Sequence, residues 1–316
     1  MNSVLLETQH LKKYFPHRLG QVHAVDDVSL TIREGETLGV VGESGCGKST
    51  LGRTILRLLE PTAGDVKFEG KSIIGLKSKE FRAYQTKMQM VFQDPYSSLD
   101  PRMSVFDLVA DPLKICKTIP KDQIPTKVSE TMELCGLPAE FNNVYPHEMD
   151  GGRRQRVGLA RALVLDPKFI VCDEPVSALD VSIQAQILNL LMDMQEQRKL
   201  AYMFITHDLC VVRHISNDIM VMYMGQVVEY ASKEEIFAHP IHPYTKALLS
   251  AIPTTDLSNR NRKKYMLKGE VSSPINPDPG CRFTPRCPYG NEKCRETQPM
   301  VEVAPNHFVA CYACAK

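Results

Sequence analysis

A glycine-rich run at residues 42–49 has the residue types and the spacing that bind phosphate groups. It reads G-E-S-G-C-G-K-S, and Gly42, Gly47, Lys48 and Ser49 match the pattern G-x-x-x-x-G-K-[ST]. The glycines let backbone N–H groups converge on phosphate oxygens, and the helix that follows adds its positive end. Lys48 is suited to the β- and γ-phosphates, and the Ser49 hydroxyl to Mg²⁺. The run predicts a nucleotide site, which also includes the neighbouring residues Glu43, Ser44, Gly45, Cys46 and Thr50.

Two adjacent carboxylates follow a short apolar run. Residues 169–172 read F-I-V-C, which is typical of a buried strand, and Asp173 and Glu174 come directly after them. The carboxyl ends of strands in an α/β sheet form the edge where ligands bind. Asp173 is suited to hold Mg²⁺ through water, and Glu174 to orient or deprotonate the attacking water. An acid pair in this position is more often a helix cap, but the phosphate-loop pattern favours the catalytic interpretation.

Two further polar residues close predicted strands. Gln93 ends the strand predicted at residues 88–92, and His207 follows the one at 201–205. Either residue alone would usually be a surface or cap residue. Because both strands are expected to end at the same sheet edge, Gln93 and His207 are predicted to contact the γ-phosphate, and Gln93 also to reach Mg²⁺.

The elements that must position these residues alternate between strands and helices. Apolar runs and alternation predict strands at residues 4–11, 25–32, 37–41, 66–68, 72–74, 88–92, 169–172, 201–205, 218–223 and 226–230. Helical spacing predicts helices at residues 50–59, 183–197, 233–237 and 244–252. Residues 94 to about 161 read as Pro-punctuated helical segments without a strand signal. This order predicts an α/β fold with a mostly parallel sheet, helices on both of its faces and an inserted helical region.

The composition excludes several classes of protein. The 316 residues carry 38 Lys and Arg against 37 Asp and Glu, so no net field favours nucleic acid or an acidic membrane. No apolar run approaches the length of a membrane span and no signal peptide opens the chain, so a cytoplasmic location is expected. Half of the ten cysteines lie from residue 281 onward, and a cytoplasmic disulfide framework is not expected.

Taken together, these motifs resemble those of the ATP-binding subunits of ABC transporters. Gln93 lies in V-F-Q-D-P, Asp180 closes S-A-L-D, His207 lies in I-T-H-D, and R-Q-R-V-G-L-A-R-A-L occupies residues 154–163. More narrowly, the runs at residues 91–103, 239–253 and 280–288 are similar to those of ATPase subunits of oligopeptide and dipeptide importers. The resemblance implies a P-loop NTPase (RecA-like) core with an antiparallel β subdomain and an inserted helical subdomain at about residues 94–161. It divides the chain into an ABC ATPase domain at residues 1–253 and a small Cys-rich C-terminal extension at 254–316.

The resemblance also implies ligands and partners. ATP and Mg²⁺ are the expected ligands, and an aromatic residue ahead of the loop stacks on adenine, with Phe15 the best match and Tyr14 the second. Such ATPases work as head-to-tail pairs, in which each ATP lies between one phosphate loop and the other subunit's signature segment. The implied partners are a second ATPase subunit, two transmembrane permeases and, indirectly, an extracellular peptide-binding protein. The chain would then lie at the cytoplasmic face of the membrane, with the permeases received by the Gln93 region and the helical insert.

The signature segment departs from the family pattern. Where L-S-G-G-Q is usual, residues 149–153 read M-D-G-G-R, so Asp150, Gly151, Gly152 and Arg153 would face the partner's ATP. Two like charges about 5 Å apart cost roughly 3 kcal/mol at an effective dielectric near 20, about a hundredfold in affinity. Arg153 could compensate by pairing with Asp150 or the phosphate, or Asp150 could turn outward as a helix N-cap. We expect a heterodimer with an ATPase of normal signature, in which one of the two ATP sites is weak.

The cysteines near the C-terminus leave three alternatives open. Cys281, Cys287, Cys294 and Cys311 could bind a [4Fe–4S] cluster or Zn²⁺, or remain free thiols, since their spacing is not that of a zinc ribbon. Cys311 and Cys314 form one C-x₂-C pair, so either could be the fourth ligand. The resemblance to the tails of peptide-importer ATPases favours the [4Fe–4S] cluster.

Two other functions fit part of the sequence. An ABC-type ATPase acting on nucleic acid, in translation or repair, would share the ATP motifs. Such proteins usually carry two cassettes or a long coiled coil, whereas this sequence has one cassette, no heptad run and no marked basic patch, so no nucleic-acid partner is expected. An importer for nickel or another small solute stays open, because the ATPase subunit does not touch the cargo.

Overall fold

The computed structural model describes residues 3–177, 179–252 and 273–313. The strands are β1 Val4–His17, β2 Gly20–Arg33, β3 Thr37–Val41, β4 Ala63–Phe68, β5 Lys71–Ser72, β6 Met88–Val91, β7 Phe169–Asp173, β8 Ala201–Ile205, β9 Asp218–Tyr223, β10 Gln226–Ser232, β11 Val301–Ala304 and β12 His307–Val309. The α-helices are α1 Lys48–Ile55, α2 Ser78–Gln85, α3 Pro95–Ser98, α4 Val105–Cys116, α5 Ile124–Leu134, α6 Gly151–Leu163, α7 Val181–Arg198, α8 Leu209–Ile215, α9 Lys233–Ala238 and α10 Pro243–Ser250. Within these described ranges, no helix is both long and apolar enough to cross a membrane.

The chain divides into two compact units, each assembled from several stretches of sequence. The first unit comprises Met1–Leu5, Ile32–Glu36 and Phe68–Ile205. The second unit comprises Leu6–Thr31, Thr37–Lys67 and Thr206–Lys316. Neighbouring residues such as Ile205 and Thr206 therefore belong to different units.

The first unit contains the parallel strands that carry the acid pair. β6 pairs with β7, and β7 with β8, all in parallel, with Asp173 of β7 in register with Ile205 of β8. Every residue of β7 and β8 is buried, as expected for strands covered on both faces. Helices α4, α5 and α6 pack against one another. Residues 94–161, all of which are described, contain helices and turns but no strand, as the sequence predicted.

The second unit contains the strand that leads into the phosphate loop. β3 pairs in parallel with β9, and β9 and β10 form the antiparallel hairpin predicted around residues 224–225. β12 adds to β10 and β11 to β12, both antiparallel. β2, β1 and β4 lie side by side in an antiparallel sheet. The α/β class with parallel and antiparallel sheets is therefore confirmed.

Some predicted boundaries were wrong. β1 and β2 are each 14 residues long, because hairpin pairing carries both strands through polar residues that show no apolar alternation. Helix α1 ends at Ile55, shortly before Arg57 takes a left-handed φ of 55°. The sequence analysis missed α2, α8, β11 and β12, which are short elements with weak periodicity. The predicted domain boundary at residues 253–254 lies outside the described residues.

Within the second unit, buried polar groups connect β12 to β10 and to the start of α10. The Glu229 carboxylate on β10 accepts hydrogen bonds from the backbone N–H groups of Ile241 and His242, both at 2.8 Å. His307 of β12 lies 2.8 Å from the same carboxylate through Nε2. His242 itself caps α10, because its Nδ1 accepts from the Tyr244 N–H at 3.1 Å. Charged and polar groups buried this deeply persist only when such partners satisfy them.

His242 should make the folded chain sensitive to acid. Burial, with a smaller contribution from Lys246, lowers the pKa of His242 to about 3, against an ordinary value near 6.5. The unfolded chain therefore binds an extra proton between these two values, so stability falls as pH decreases through that window and recovers fully above it. At pH 5 the expected loss is about 2 kcal/mol in the free energy of unfolding. The difference in the free energy of unfolding in urea between pH 7.5 and pH 5 measures this loss.

The variant His242→Asn isolates this contribution. Asparagine keeps an N-cap acceptor without a titrating ring, so we expect its loss of stability from pH 7.5 to pH 5 to be smaller by about 2 kcal/mol. His214→Asn, at an exposed position on α8, is the matched control and should lose as much as the wild type. Equal losses in all three proteins would contradict the assignment to His242.

Candidate nucleotide site

The phosphate loop of the second unit connects the end of β3 to the start of α1. All five residues of β3 are buried, so the loop begins at the end of a core strand. Two glycines are required by close backbone approach. A Cβ on Gly47, whose φ is 106°, would lie 1.9 Å from the Ala24 carbonyl oxygen. A Cβ on Gly42, whose φ is 153°, would lie 2.2 Å from the Met222 carbonyl oxygen. No other residue type fits these two positions without moving β2 or β9.

Lys48 is buried and folded over its own loop. Its Nζ donates to the carbonyl oxygens of Gly42 and Glu43, at 2.8 and 3.0 Å, and lies 3.7 Å from Cys46 Sγ. Burial is the main cause that raises the pKa of the Cys46 thiol, which therefore stays neutral and leaves the lysine charge uncompensated by a thiolate. These three groups all belong to the loop. The ammonium is thus held where phosphate oxygens bound by the loop would meet it.

The other predicted loop residues surround this lysine. Ser49 and Thr50 are half-buried in the first turn of α1, while Ser44 and Gly45 are exposed. Nothing lies within 4 Å of a Cβ built on Gly45, so the loop is open on that side. An open glycine loop at a helix N-terminus fits the phosphates of a nucleotide, and the Ser49 hydroxyl is an oxygen ligand of the kind that Mg²⁺ prefers.

The two aromatic candidates for adenine stacking differ in their surroundings. The Tyr14 ring stacks on His23, with 3.9 Å between centroids and 16° between planes. Its hydroxyl donates to the Asp26 carboxylate. Phe15, the next residue on β1, has only the Lys13 ammonium over its ring, 4.9 Å from the centroid, among the ring contacts described. Tyr14 is therefore already engaged by protein groups, whereas Phe15 keeps more of its ring available.

His207 lies in the second unit, directly after the end of β8. The Thr206 N–H donates to the Val40 carbonyl of β3 at 3.2 Å, which fixes the backbone ahead of the histidine. Asp208 then caps α8 by accepting from the Cys210 N–H at 2.8 Å. The imidazole side chain itself is exposed. A histidine held on a fixed backbone with an exposed ring is suited to contact a ligand.

The first unit brings Gln93 and Glu174 together. The Gln93 side-chain amide donates from Nε2 to Glu174 Oε2 at 2.8 Å. Asp173, at the carboxyl end of β7, is fully buried. Glu174 has a left-handed φ of 46°, an unfavourable conformation for a residue with a side chain and one that is common at functional sites. Gln93 and the acid pair thus lie together at the carboxyl ends of the paired strands β6 and β7.

The signature segment forms the N-terminus of α6 in the first unit. Asp150 is its N-cap, with Oδ1 accepting from the Arg153 N–H at 2.8 Å. The Arg153 Nε lies 3.4 Å from Asp150 Oδ2, and its guanidinium is 5.0 Å from the centroid of the Phe141 ring. A Cβ on Gly152 would lie 2.6 Å from the Ile183 side chain. Asp150 and Arg153 are thus paired with each other and exposed, and Asp180 caps α7 in the same way.

The four C-terminal cysteines lie near one another without forming a metal site. The Cys281 N–H donates to the Cys294 carbonyl at 2.8 Å. Burial is the main cause that raises the pKa of both Cys281 and Cys287. Among the described residues, however, no group of three or more His, Cys, Asp or Glu side chains is arranged to hold a metal ion. The predicted [4Fe–4S] or Zn²⁺ site is therefore not supported, and Cys314 lies outside the described residues.

Sequence reasoning missed four residues that hold the nucleotide loop and its neighbours. They are Asp26, Tyr244, Arg282 and Arg286, and they contact Tyr14 or Glu43 directly or through one another. Tyr244 and both arginines lie in runs that resemble the peptide-importer pattern. That resemblance gives no indication that they reach residues more than 200 positions earlier.

The strand, glycine loop, helix and buried lysine together define a P-loop nucleotide-binding protein. Comparison with known proteins identifies the family within this class. Residues 25–177 match the family described as ABC transporter, and residues 228–294 match the family described as oligopeptide/dipeptide transporter, C-terminal region. The chain is 48% identical to the oligopeptide transport ATP-binding protein AppF of Bacillus subtilis (strain 168), over 98% of this chain and 97% of AppF. It is 47% identical to the oligopeptide transport ATP-binding protein OppF of Salmonella typhimurium, over 98% and 96% of the two chains.

A solved structure gives the same class. The dimeric structure of a post-hydrolysis state of the ATP-binding cassette MJ0796, bound to ADP and Pi, has a TM-score of 0.67 and is 28% identical, covering 72% of this chain and 99% of that one. This chain therefore belongs to the ABC transporter family of ATP-binding proteins, in the branch with the oligopeptide/dipeptide transporter C-terminal region. It is an ATPase.

Proposed function

We propose that this chain is the ATP-hydrolysing subunit of a membrane importer for oligopeptides or dipeptides. The observation that carries the proposal is similarity along nearly the whole chain, including the C-terminal region, to the oligopeptide transport ATP-binding proteins AppF and OppF. An ABC ATPase acting on nucleic acid is not favoured, because the C-terminal region matches a transporter region instead. We place the ATPase domain at residues 1–253 and the extension at 254–316.

We further propose that the chain works at the cytoplasmic face of the membrane with two permeases, a second ATPase subunit and an extracellular peptide-binding protein. The related MJ0796 cassette is dimeric, which supports head-to-tail pairing. Exposed aromatic and aliphatic side chains near Gln93 and on the helical insert support docking of permease helices there. They are Phe92, Tyr96, Ile115 and Tyr145. Alone, the chain should bind ATP and hydrolyse it poorly, because a partner must complete each site.

The residue roles follow from the family resemblance and are supported by their surroundings. Phe15 stacks on adenine, since the Tyr14 ring already packs on His23. Lys48 and the loop N–H groups bind the phosphates. Ser49 supplies an oxygen ligand for Mg²⁺, which neutralises phosphate charge when bound, and the family resemblance gives Asp173 and Gln93 a role toward Mg²⁺ as well. Glu174 accepts a proton from or orients the attacking water, and His207 contacts the γ-phosphate.

Reconstitution with partners tests the importer function. The chain would be co-expressed with candidate permeases and a second ATPase subunit from the same genome, purified as a complex and placed in proteoliposomes. We expect ATP hydrolysis that rises when the binding protein is loaded with peptide. If Ni²⁺ or another small solute stimulates hydrolysis and peptide does not, the transported solute is that one and not a peptide. Failure of the chain to co-purify with any permease would overturn the proposal.

We propose that the two ATP sites of the assembled pair are unequal. The site completed by Asp150 and Arg153 should be the weaker one, since a carboxylate replaces the usual serine and its pairing with Arg153 removes only part of the charge. Restoring the family pattern with Asp150→Ser plus Arg153→Gln should strengthen ATP binding at that site about tenfold or more. Equilibrium binding of ATP to the assembled pair, fitted to two sites, measures the affinity of each site.

Two controls accompany this variant. Serine keeps the N-cap of α6, so the free energy of unfolding should change by less than about 1 kcal/mol. Asp107→Ser with Lys114→Gln removes an exposed pair of the same unit and should leave ATP binding unchanged. If the restored signature binds ATP as the wild type does, the two sites are not made unequal by Asp150.

A chain that pairs with itself would contradict the preference for a heterodimer.

We also propose that Cys281, Cys287, Cys294 and Cys311 bind a metal. The resemblance to the tails of peptide-importer ATPases motivates it, since the described residues show no arranged metal site and thiolates bind both iron–sulfur clusters and Zn²⁺. Metal analysis after anaerobic purification, with an absorption spectrum near 400 nm, distinguishes a [4Fe–4S] cluster from Zn²⁺ and from free thiols. Colourless, metal-free protein would end this proposal.

A further inference from the structure

Glu43, the second residue of the phosphate loop, is held from two sides by the C-terminal part of the second unit. Its backbone N–H donates to the Tyr244 hydroxyl oxygen at 2.8 Å, across 201 residues of sequence. Its carboxylate accepts from Arg286 Nη1 at 2.8 Å, across 243 residues. The Glu43 carbonyl oxygen in turn accepts from Lys48 Nζ at 3.0 Å. Groups of the C-terminal region are therefore linked through one residue to the lysine that binds phosphate.

These contacts are mostly shielded from solvent. The Arg286 side chain is 9% exposed and that of Glu43 29%, so their charges are screened less than those of a surface pair. Burial raises the pKa of Tyr244, whose hydroxyl therefore stays protonated. The rings of Tyr223, Tyr244 and Phe283 pack against one another with centroids 4.8 to 5.4 Å apart. Arg286 and Tyr244 are thus presented to the loop by a packed aromatic cluster.

A second arginine of the same segment braces the structures beside the loop. Arg282 donates to the Met224 carbonyl and to the Asp26 carboxylate, which also accepts from the Tyr14 hydroxyl. The turn that follows Met224 reaches the loop, because the Gly225 N–H donates to the Cys46 carbonyl at 2.8 Å. The C-terminal segment therefore contacts the phosphate loop directly through Arg286 and indirectly through Arg282.

We propose that Tyr244 and Arg286 are positioning residues of the ATP site, through which the C-terminal region holds Glu43 and sets the affinity of the phosphate loop for ATP. The contacts of both residues with the loop are made to Glu43. Both act on the first turn of the loop, where a small displacement moves the Glu43 carbonyl and with it Lys48. The inference rests on ATP binding at this loop and not on the identity of the transported solute.

The test uses the full chain and measures ATP affinity by equilibrium binding. Tyr244→Phe removes one hydroxyl and keeps the packed ring, and we expect affinity about fivefold weaker; Arg286→Ala should weaken it about tenfold. Arg286→Lys keeps a donor and should recover part of the loss. Adding Glu43→Ala to Arg286→Ala should cost no more than either change alone, because both remove the same interaction.

The controls separate positioning from general loss of stability. Tyr202→Phe removes a buried hydroxyl that donates to the Leu191 carbonyl at 3.1 Å in the first unit, and Arg295→Ala removes an exposed arginine of the same C-terminal region. Both should bind ATP as the wild type does. Unchanged affinity in Tyr244→Phe and Arg286→Ala would overturn the proposal, as would fully additive losses in the Glu43 and Arg286 pair. Failure of the wild type to bind ATP would instead contradict the ATP site itself.

Discussion

Lys48→Ala should reduce the affinity for ATP by about a hundredfold to a thousandfold and remove measurable hydrolysis. The ammonium is expected to make charge-assisted hydrogen bonds to two phosphate oxygens, each worth about 1.5–3 kcal/mol. Its partners in this structure are two carbonyl oxygens and a thiol of its own loop, all of which a phosphate group would outcompete. Equilibrium binding of ATP to the purified chain measures the loss directly.

The same variant should fold. None of the three Lys48 partners belongs to the sheet core, so we expect the melting temperature to fall by only a few degrees, and circular dichroism to be unchanged. Lys79→Ala, at an exposed position on α2, is the matched control and should bind ATP normally. Retention of wild-type affinity by Lys48→Ala would mean that nucleotide binds elsewhere on the chain.

Glu174→Gln should separate hydrolysis from binding. The substitution keeps the shape and the oxygen that accepts from Gln93 Nε2, at 2.8 Å in the wild type, but it cannot accept a proton. We expect kcat for ATP hydrolysis by the proposed complex to fall by about 10²–10⁴-fold. Affinity for ATP should stay within about twofold, because Glu174 is not proposed to hold the phosphates. Steady-state hydrolysis beside ATP binding gives both quantities.

The pair Gln93–Glu174 also defines a control. Gln93→Ala removes the donor that orients the carboxylate but leaves the proton acceptor, so its effect on kcat should be smaller than that of Glu174→Gln. Glu196→Gln, on an exposed position of α7, should have no effect. A Glu174→Gln transporter that turns over as fast as the wild type would exclude Glu174 as the base.

Local motifs explain why much of the candidate site could be predicted. The phosphate loop is built from consecutive residues, so its pattern of glycine and lysine specifies the backbone conformation almost alone. Gly47 shows this, since its φ of 106° and the nearby Ala24 carbonyl allow no side chain. The Gln93–Glu174 contact was predictable for a different reason, because parallel strands bring their carboxyl ends to one edge.

Other features were not predictable because they depend on competition between local and distant partners. From the sequence, Asp150 could face a phosphate or cap a helix. Its hydrogen bond from the Arg153 N–H exists only once α6 has folded. Phe15 and Tyr14 were ranked by resemblance, whereas the stacking of Tyr14 on His23 depends on pairing of β1 with β2. Strands β11 and β12 were not predicted because three or four residues carry too little periodicity, and they form only by pairing, β12 with β10 and β11 with β12.

The sequence by itself determined the class of protein, the phosphate loop, the acid pair and the transporter branch, because each is written in a short run whose residues act on their immediate neighbours. Only the tertiary structure decided which groups hold that loop in place. The contacts of Glu43 with Tyr244 and Arg286 join residues 201 and 243 positions apart, and they exist only once α10 and the C-terminal segment have packed around Tyr223 and Phe283. No local pattern encodes such contacts, since they result from the packing of several elements at once.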